Sequence, residues 1–512
     1  MPERSVLTNP LVRLLDKPQE EFTRTDFLEV ITEREIERIT FHYTGLDGKL
    51  KELRLPVVNR RQADRVLAEG ERVDGSSLFK GLVDTSVSDL YAVPVYKTAF
   101  LNPFHERSLD FVCRYLTAAG DRAPFAADNI LHEAYSLFQK RTGLELNSMG
   151  ELEFFLLSDP QVKIYPAQKQ SGYHASSPFM KSGEILDEMV HHLVQITGAV
   201  KYAHSEVGSV ESIRSDIEEI NGKRAEQQEI EFLPTPVEDA ADNLVLGRWL
   251  IRNVAYRHGY VATFAPKIEE GVAGNGLHIH VELMKAGHNI MLGPDGELSE
   301  NARQLIGGLC HYADTLTSFG NPVSAAYLRL VPNQEAPTRI CWSDLNRTAM
   351  IRVPLAWSGV SNLTKKLNPQ QEEDSRDSEG RQTVELRSPD GSAIVYLLLA
   401  GMTMAADWGL TQPESLGMAD SLYVSGNIFQ DKELWDTLPA LPSSCAGSAR
   451  NLDKRREYYE RDGVFPPSVI DYVIGLLERE NDEDLNRRLA DLPADARLQE
   501  TRKIMHKDLH RH

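Results

Sequence analysis

The sequence predicts an α+β protein in two unequal parts, with a small N-terminal unit followed by a larger one built around a sheet with a polar face. Three observations lead there. Asp47-Gly48 stands between two apolar runs near the N-terminus, and an Asp-Gly pair adopts the positive φ that a tight hairpin needs. Apolar residues recur at helical spacing in several long segments between Asn129 and Leu316. Three runs have a period of two: Glu151-Leu152-Glu153-Phe154-Phe155, Leu277-His278-Ile279-His280-Val281 and Val384-Glu385-Leu386-Arg387. Alternate side chains of a strand share a face, so each run shows polar groups on one side and apolar groups on the other. Together they suggest one sheet lining a polar cavity.

In chain order, residues 1–30 form a polar lead-in with weak helical character. Glu37–Tyr43 reads as a strand, Gly45–Lys49 as a turn and Leu50–Leu55 as a second strand. Arg60–Glu69 is a short helix, Asp74-Gly75-Ser76-Ser77 a glycine turn and Ser88–Pro94 another strand. Asp121-Arg122-Ala123-Pro124 marks a boundary, which divides the chain into 1–122 and 123–512. Helices are expected over Asn129–Thr142, Ile185–Gly198, Asp239–His258 and Leu298–Leu316. Residues 209–228 are densely charged, with Arg214–Glu219 expected as a surface insertion, and Pro369–Arg381 reads as a mobile polar loop. Ala393–Ala406 is apolar but too short to cross a bilayer, so it reads as a buried helix. The segment Leu476–His512 is strongly charged and is expected to end in exposed helices.

Composition narrows the function classes. Hydrophobic content of 41% and charged content of 26% suit an ordinary globular enzyme. A net charge of −20 with no basic block argues against nucleic acid. Cys113, Cys310, Cys341 and Cys445 form no C-x-x-C pair, and the N-terminus carries no apolar signal core. Reduced thiols and a cytoplasmic location, with no membrane partner, are therefore expected. No Walker A motif is present, and the glycines around Gly274 do not make a dinucleotide fingerprint. Carboxylates with a single imidazole suit a hard divalent ion, Mg2+ or Mn2+, better than thiolate-bound zinc.

Several further motifs occur in a fixed order. They are Val73-Asp74-Gly75-Ser76-Ser77, Gly150–Phe155, Ala262–Lys267 leading to Gly276-Leu277-His278, Arg329-Leu330-Val331-Pro332, Glu335-Ala336-Pro337, Asn346–Pro354 and Glu385–Asp390. Each is weak alone, but in this order, from roughly Ile36 to Tyr472, the chain resembles glutamine synthetase of the bacterial type I class. The resemblance implies a β-grasp-like small domain followed by a catalytic domain on a curved antiparallel sheet. It implies a homo-oligomer: rings of six subunits, usually stacked in pairs as a dodecamer, with active sites shared between neighbours. The implied reaction is ATP-dependent ligation of ammonia to the γ-carboxylate of glutamate through a γ-glutamyl phosphate.

The resemblance also assigns residues. One metal would sit on Glu153, Glu229 and Glu206, the other on Glu151, His278 and Glu385. Glu229 lies in Ala225-Glu226-Gln227-Gln228-Glu229-Ile230, close to the family pattern, whereas Glu206 has rivals in Glu211, Glu218 and Glu226. Gly274, Arg329 and Arg387 would meet glutamate, and His280, Arg347 and Arg352 the nucleotide phosphates. Asp74, Asp89 and Glu335 match the acids that collect ammonium and remove its proton, with Arg347 joining them in catalysis. Departures cluster around the nucleotide and the amino-acid end of the substrate: Ala273 and Glu282, the pair Gln382-Thr383 near Arg381, and Ala393–Leu397. Trp435 stands where some relatives carry an adenylylated tyrosine, and the C-terminal tail also differs. Two alternatives stay open, a γ-glutamyl ligase for a polyamine or other amine and a non-catalytic regulatory relative.

Overall fold

The computed structural model describes residues 6–160, 164–166, 169–331, 336–356, 362–372 and 380–511. The small part holds β1 (Arg38–Thr44), β2 (Leu50–Pro56), β3 (Glu71–Asp74), β4 (Asp89–Pro94), β5 (Phe100–Leu101) and β6 (Ser108–Leu116). They form one sheet in the order β2-β1-β6-β4-β3, with β5 beside β6, and β1 runs parallel to β6. Gly48 takes φ 77° in the expected hairpin. The lead-in is more structured than its polarity suggests. Thr23 and Asp26 form a reciprocal capping box for the helix Arg24–Glu33. That helix buries Phe27 edge-on against Phe111 at 4.9 Å, so one apolar face anchors a charged segment.

The large part holds β7 (Glu145–Ser158), β8 (Val200–Val210), β9 (Arg224–Phe232), β10 (Thr235–Pro236), β11 (Val261–Thr263), β12 (Leu277–Lys285), β13 (His288–Asn289), β14 (Trp342–Asp344), β15 (Ile351–Val353) and β16 (Val384–Leu386). The main order is β14-β15-β16-β12-β7-β9-β8, with β10 and β11 also on β7 and β13 on β12. The sheet is antiparallel, as expected, apart from β14 and β15 at one edge, which pair in parallel. Its apolar side packs on helices. Gly150 lets Leu244 of the helix Val237–Arg257 lie against β7, where a Cβ would collide with that leucine. Behind them the helices Glu300–Gly320 and Val395–Thr411 are almost wholly buried. Gly308 of the first touches the backbone of Ala405 in the second.

We propose the boundary between the parts at Arg122, in the turn between β6 and the helix Ala127–Thr142. Ionic and polar contacts join the parts there: Arg114 of β6 pairs with Asp242 at 2.7 Å, and Trp249 donates to Glu52 at 3.0 Å.

The charged segments fold in different ways. Arg214–Glu219 lies, as expected, in the largely exposed turn between β8 and β9, while Arg224–Gln228 of the same charged stretch opens β9 and is largely buried there. The tail is not simply exposed. Beyond the helix Ala494–His506, Leu509 is buried with Ile213, Ile268 and Val272, and the Thr263 hydroxyl donates to its carbonyl at 2.9 Å. Arg502 pairs with Glu269 at 3.1 Å. Leucine and methionine at single positions dock a segment whose average composition is charged. The loop expected over Pro369–Arg381 falls partly outside the described residues.

Candidate functional site

Strand register sets which side chains meet. In β7, β12 and β16 the pairs are His278 with Glu151, His280 with Met149, and His280 with Glu385. Arg352 of β15 lies opposite Glu385. On the other side β9 places Glu229 opposite Glu153 and Glu231 opposite Glu151, and β8 adds His204 and Tyr202 opposite Glu229 and Glu231. Cross-strand partners share a face, so these residues form a grid on one side of the sheet. All of them except the buried Glu385 line a cavity of about 1230 Å3.

The grid has two unlike sides. On the arginine side, Glu151 accepts from His278 Nδ1 at 2.7 Å and His280 Nε2 at 2.9 Å. Burial would raise its pKa, but these imidazoles outweigh burial and hold it well below the usual range. Glu385 takes Arg352 at 2.7 Å and Arg387 at 3.0 Å. Burial and Glu151 push its carboxyl up, and His280, Arg387 and His278 bring it net below the ordinary value. On the acid side, Glu229 is raised well above the ordinary value by burial and then by Glu151, Glu153, Glu206 and Glu231. His204 stands 3.5 Å from Glu229 and 3.9 Å from Glu206.

Three groups bring ligand atoms within 4.8 Å of one another: Glu151, His278 and Glu385; His204, Glu206 and Glu229; and Glu151, Glu229 and Glu231. Oxygen-rich sets of this kind suit hard divalent cations. The raised Glu229 carboxyl fits as well, since crowded anions are what a cation relieves. Glu153 shares the face, but one of its oxygens accepts from the Gly276 amide at 2.8 Å and from Gln227 at 3.2 Å. Its other oxygen lies 4.0 Å from His278. Of the rivals to Glu206, Glu211 and Glu218 are exposed, and Glu226 is buried holding the Lys181 and Ser182 amides.

The other expected residues divide in two. Arg329, Arg347, Arg352, Arg387, Gly274 and His280 all line the cavity. Arg329 is buried and donates to the Ser388 carbonyl at 3.0 Å, and Arg387 also reaches the Arg347 carbonyl. Gly274 has no room for a side chain, since a Cβ would strike the Pro266 carbonyl and the Arg329 stem. Asp74 and Asp89 are adjacent across β3 and β4, exposed, and outside the cavity. Hydrogen bonds from Ser77 and Ser76 lower the Asp74 carboxyl to about 2. Glu335 lies outside the described residues.

Comparison with known proteins decides the family. Residues 35–118 match the family model described as the glutamine synthetase beta-Grasp domain, and residues 128–491 match its catalytic domain. The chain belongs to the glutamine synthetase family. Glutamine synthetase of Thermococcus kodakarensis is 30% identical over 482 residues, covering 92% of this chain and 94% of that protein. That of Methylococcus capsulatus is 28% identical over 500 residues, covering 90% and 96%. Among solved structures, Plasmodium falciparum glutamine synthetase matches with a TM-score of 0.71 at 19% identity, covering 93% of this chain and 98% of that one. A GmaS–ADP complex matches at 0.68 and 21%, covering 92% and 98%. These two likenesses concern the fold.

Several residues of this glutamine synthetase-family cavity escaped the sequence reading. They are His204 and Glu231 on the acid side, Gln227 beneath Glu153, and Lys201, which pairs with Glu231 at 2.6 Å. The signal was present as alternation: Gln227, Glu229 and Glu231 are two apart on β9. Among the described residues, no helix is long and apolar enough to cross a membrane.

Proposed function

We propose that this protein joins ammonia to the γ-carboxylate of glutamate with ATP in the cytoplasm, releasing ADP and phosphate. The reading is carried by two clusters of hard donors set beside Arg329, Arg347, Arg352 and Arg387 in one cavity. Two anions, a carboxylate and a terminal phosphate, must approach there, and planar guanidiniums offer paired donors to both. Arg329 and Arg387, with Gly274 leaving backbone room, receive glutamate. Arg347, Arg352 and His280 receive the phosphates.

Two divalent ions, Mg2+ or Mn2+, fit the donor sets, one on Glu151, His278 and Glu385, the other on Glu206 and Glu229 with Glu153 or His204. Bound there, such ions supply charge neutralisation for phosphoryl transfer. A glutamate γ-oxygen attacks the terminal phosphorus and ADP departs, leaving γ-glutamyl phosphate. Ammonium gives up a proton, and the freed lone pair attacks the acyl carbon and expels phosphate. Asp74, Asp89 and Glu335 are the acids we assign to ammonium. Because Asp74 stands exposed outside its own cavity, the assignment requires that it enter the site of a neighbouring subunit in a closed ring.

A phosphate-release assay tests the reading. Phosphate release should require ATP, a divalent ion, glutamate and ammonium together. Turnover with putrescine and none with ammonium would transfer the reaction to another amine.

A further inference from the structure

The C-terminal tail reaches both segments that carry Gly274 and Arg329. Its first hold is on the loop 264–276 between β11 and β12, which carries Gly274. Arg502 forks onto Glu269, with Nε 3.1 Å from Oε2 and Nη2 3.1 Å from Oε1. His506 is buried, and its Nε2 lies 2.8 Å from the Ile268 carbonyl. A carbonyl only accepts, so in the neutral ring Nε2 carries the proton and Nδ1 accepts from the Ser215 hydroxyl at 2.9 Å. Leu509 is buried with Phe155, Leu157, Ile268 and Val272. Phe155 and Leu157 continue the face of β7 that shows Glu151 and Glu153 to the cavity, so the tail covers the apolar end of that face.

The second hold is on the turn before Arg329. Lys507 pairs with Glu480 at 2.6 Å, and Glu480 accepts from the Ser324 amide at 2.8 Å. Lys507 also donates to the Ser324 hydroxyl at 3.3 Å. The Ser324 carbonyl accepts from the Tyr327 amide at 3.2 Å, in the turn that opens the short helix Ala326–Arg329. The two held segments stand against each other, since a Cβ on Gly274 would lie 3.1 Å from the Arg329 stem. From the cavity side, Gln227 donates to the Gly274 carbonyl at 3.0 Å and Asn275 to the Ala265 carbonyl at 2.9 Å. Those ties fix the end of the loop nearest β12. At its outer bend Glu270 and Gly271 are exposed, and the tail grips the loop beside them at Ile268 and Glu269.

We propose that Arg502, His506 and Lys507 are positioning residues for the glutamate end of the cavity, holding the Gly274 loop and the Arg329 turn in register with each other. This rests on the reading that glutamate lies between those two segments. None of the three lines the cavity. Their effect is preorganisation, because a loop ordered before the substrate arrives removes that ordering cost from binding. A tail that only stabilised the fold would change the fraction of active protein, and so kcat, and would leave KM unmoved.

Steady-state phosphate release by the full-length chain tests this, with glutamate and ATP varied separately. Arg502→Ala should raise KM for glutamate about tenfold, the size expected for a charged, hydrogen-bonded pair, while kcat and KM for ATP stay within about twofold of wild type. Arg502→Glu should raise it further, and adding Glu269→Arg to that variant should recover most of the loss. Should Arg502→Ala fail to fold by circular dichroism, Glu269→Gln loosens the same pair from the loop side and carries the same expectation. An unchanged KM for glutamate in the folded variants, or an equal rise in KM for ATP, would overturn the role of the tail alone. Phosphate release by wild type that does not depend on glutamate would overturn the reading beneath it.

Discussion

The two sides of the cavity share carboxylates and imidazoles but differ in how their charge is balanced. On the arginine side each carboxylate already has cations or imidazoles: Glu151 has His278 and His280, and Glu385 has Arg352 and Arg387. On the acid side Glu153, Glu206, Glu229 and Glu231 crowd together with far less compensation, and Glu229 is pushed up accordingly. The first side is preorganised by the chain itself. The second concentrates negative charge that the described residues neutralise only in part, at a cost to folding stability.

The largest test breaks each side in turn. Glu385→Ala removes a proposed metal ligand and leaves Arg352 and Arg387 without their acceptor. We expect activity at low Mg2+ to fall by at least about 10–100-fold, the range seen even when ligand-supporting groups are lost. Glu206→Ala should lose as much as Glu153→Ala, whereas Glu211→Ala, on an exposed residue, should be silent in the same steady-state assay. If Glu211→Ala were the damaging change, the acid side would be wrongly drawn.

A second test asks whether either side works without a neighbour. Subunits carrying Asp74→Asn keep both clusters, and subunits carrying Glu385→Ala keep a sound Asp74. Co-expressed in mixed rings, they should restore about a quarter of wild-type activity, because random neighbours complete about a quarter of the sites. No recovery in verified mixed assemblies would place Asp74 outside the site.

A third, smaller effect reads stability directly. In EDTA, Glu229→Gln should raise the melting temperature by a few degrees by removing like-charge crowding. Glu151→Gln should lower it, since two imidazoles lose a charged acceptor, at about 1–3 kcal/mol. With excess Mg2+ the gain from Glu229→Gln should vanish. Calorimetry or a thermal-shift assay would show both signs.

The smallest effect lies behind the acid side. His506 of the docked tail contacts Ser215 at 2.9 Å and the Ile268 carbonyl at 2.8 Å, in the loop that leads to Gly276 and so to Glu153. Burial lowers its pKa, against the pull of the Ile268 carbonyl, Glu269 and Asp216 and with the help of Arg502. A histidine depressed in the fold contributes stability above its unfolded pKa of about 6.5 and loses it as pH falls below. Hydrogen exchange over Ala494–His506 should therefore quicken between pH 7.5 and 5.5, while β16 on the arginine side stays protected.

How much of this could be read from the chain depends on the range of the interaction. The helix Arg60–Glu69, the hairpin at Gly48 and the polar faces of β7, β12 and β16 were legible, because propensity, turn chemistry and a period of two are local properties. The four cavity arginines were legible only through the order of motifs, since an isolated arginine resembles any surface arginine. His204 and Glu231 were not legible, although their strands alternate, because nothing local says which strands become neighbours. A charged tail with a few apolar residues gave no sign of where it would dock.

By itself, then, the sequence determined which side chains share a face, through backbone geometry that repeats every two residues. Only the tertiary structure decided which faces meet and in what register. Glu226 and Glu229, three apart on β9, fall on opposite faces by the period of two, but only the fold brought the Lys181 and Ser182 amides to one face and the cavity to the other. A register shift between Ser205 and Ser209 places Glu206 within reach of Glu229. Such shifts depend on bulges and turns far from the pairs they align. One residue of slip in β9 alone would turn Glu229 and Glu231 into the core.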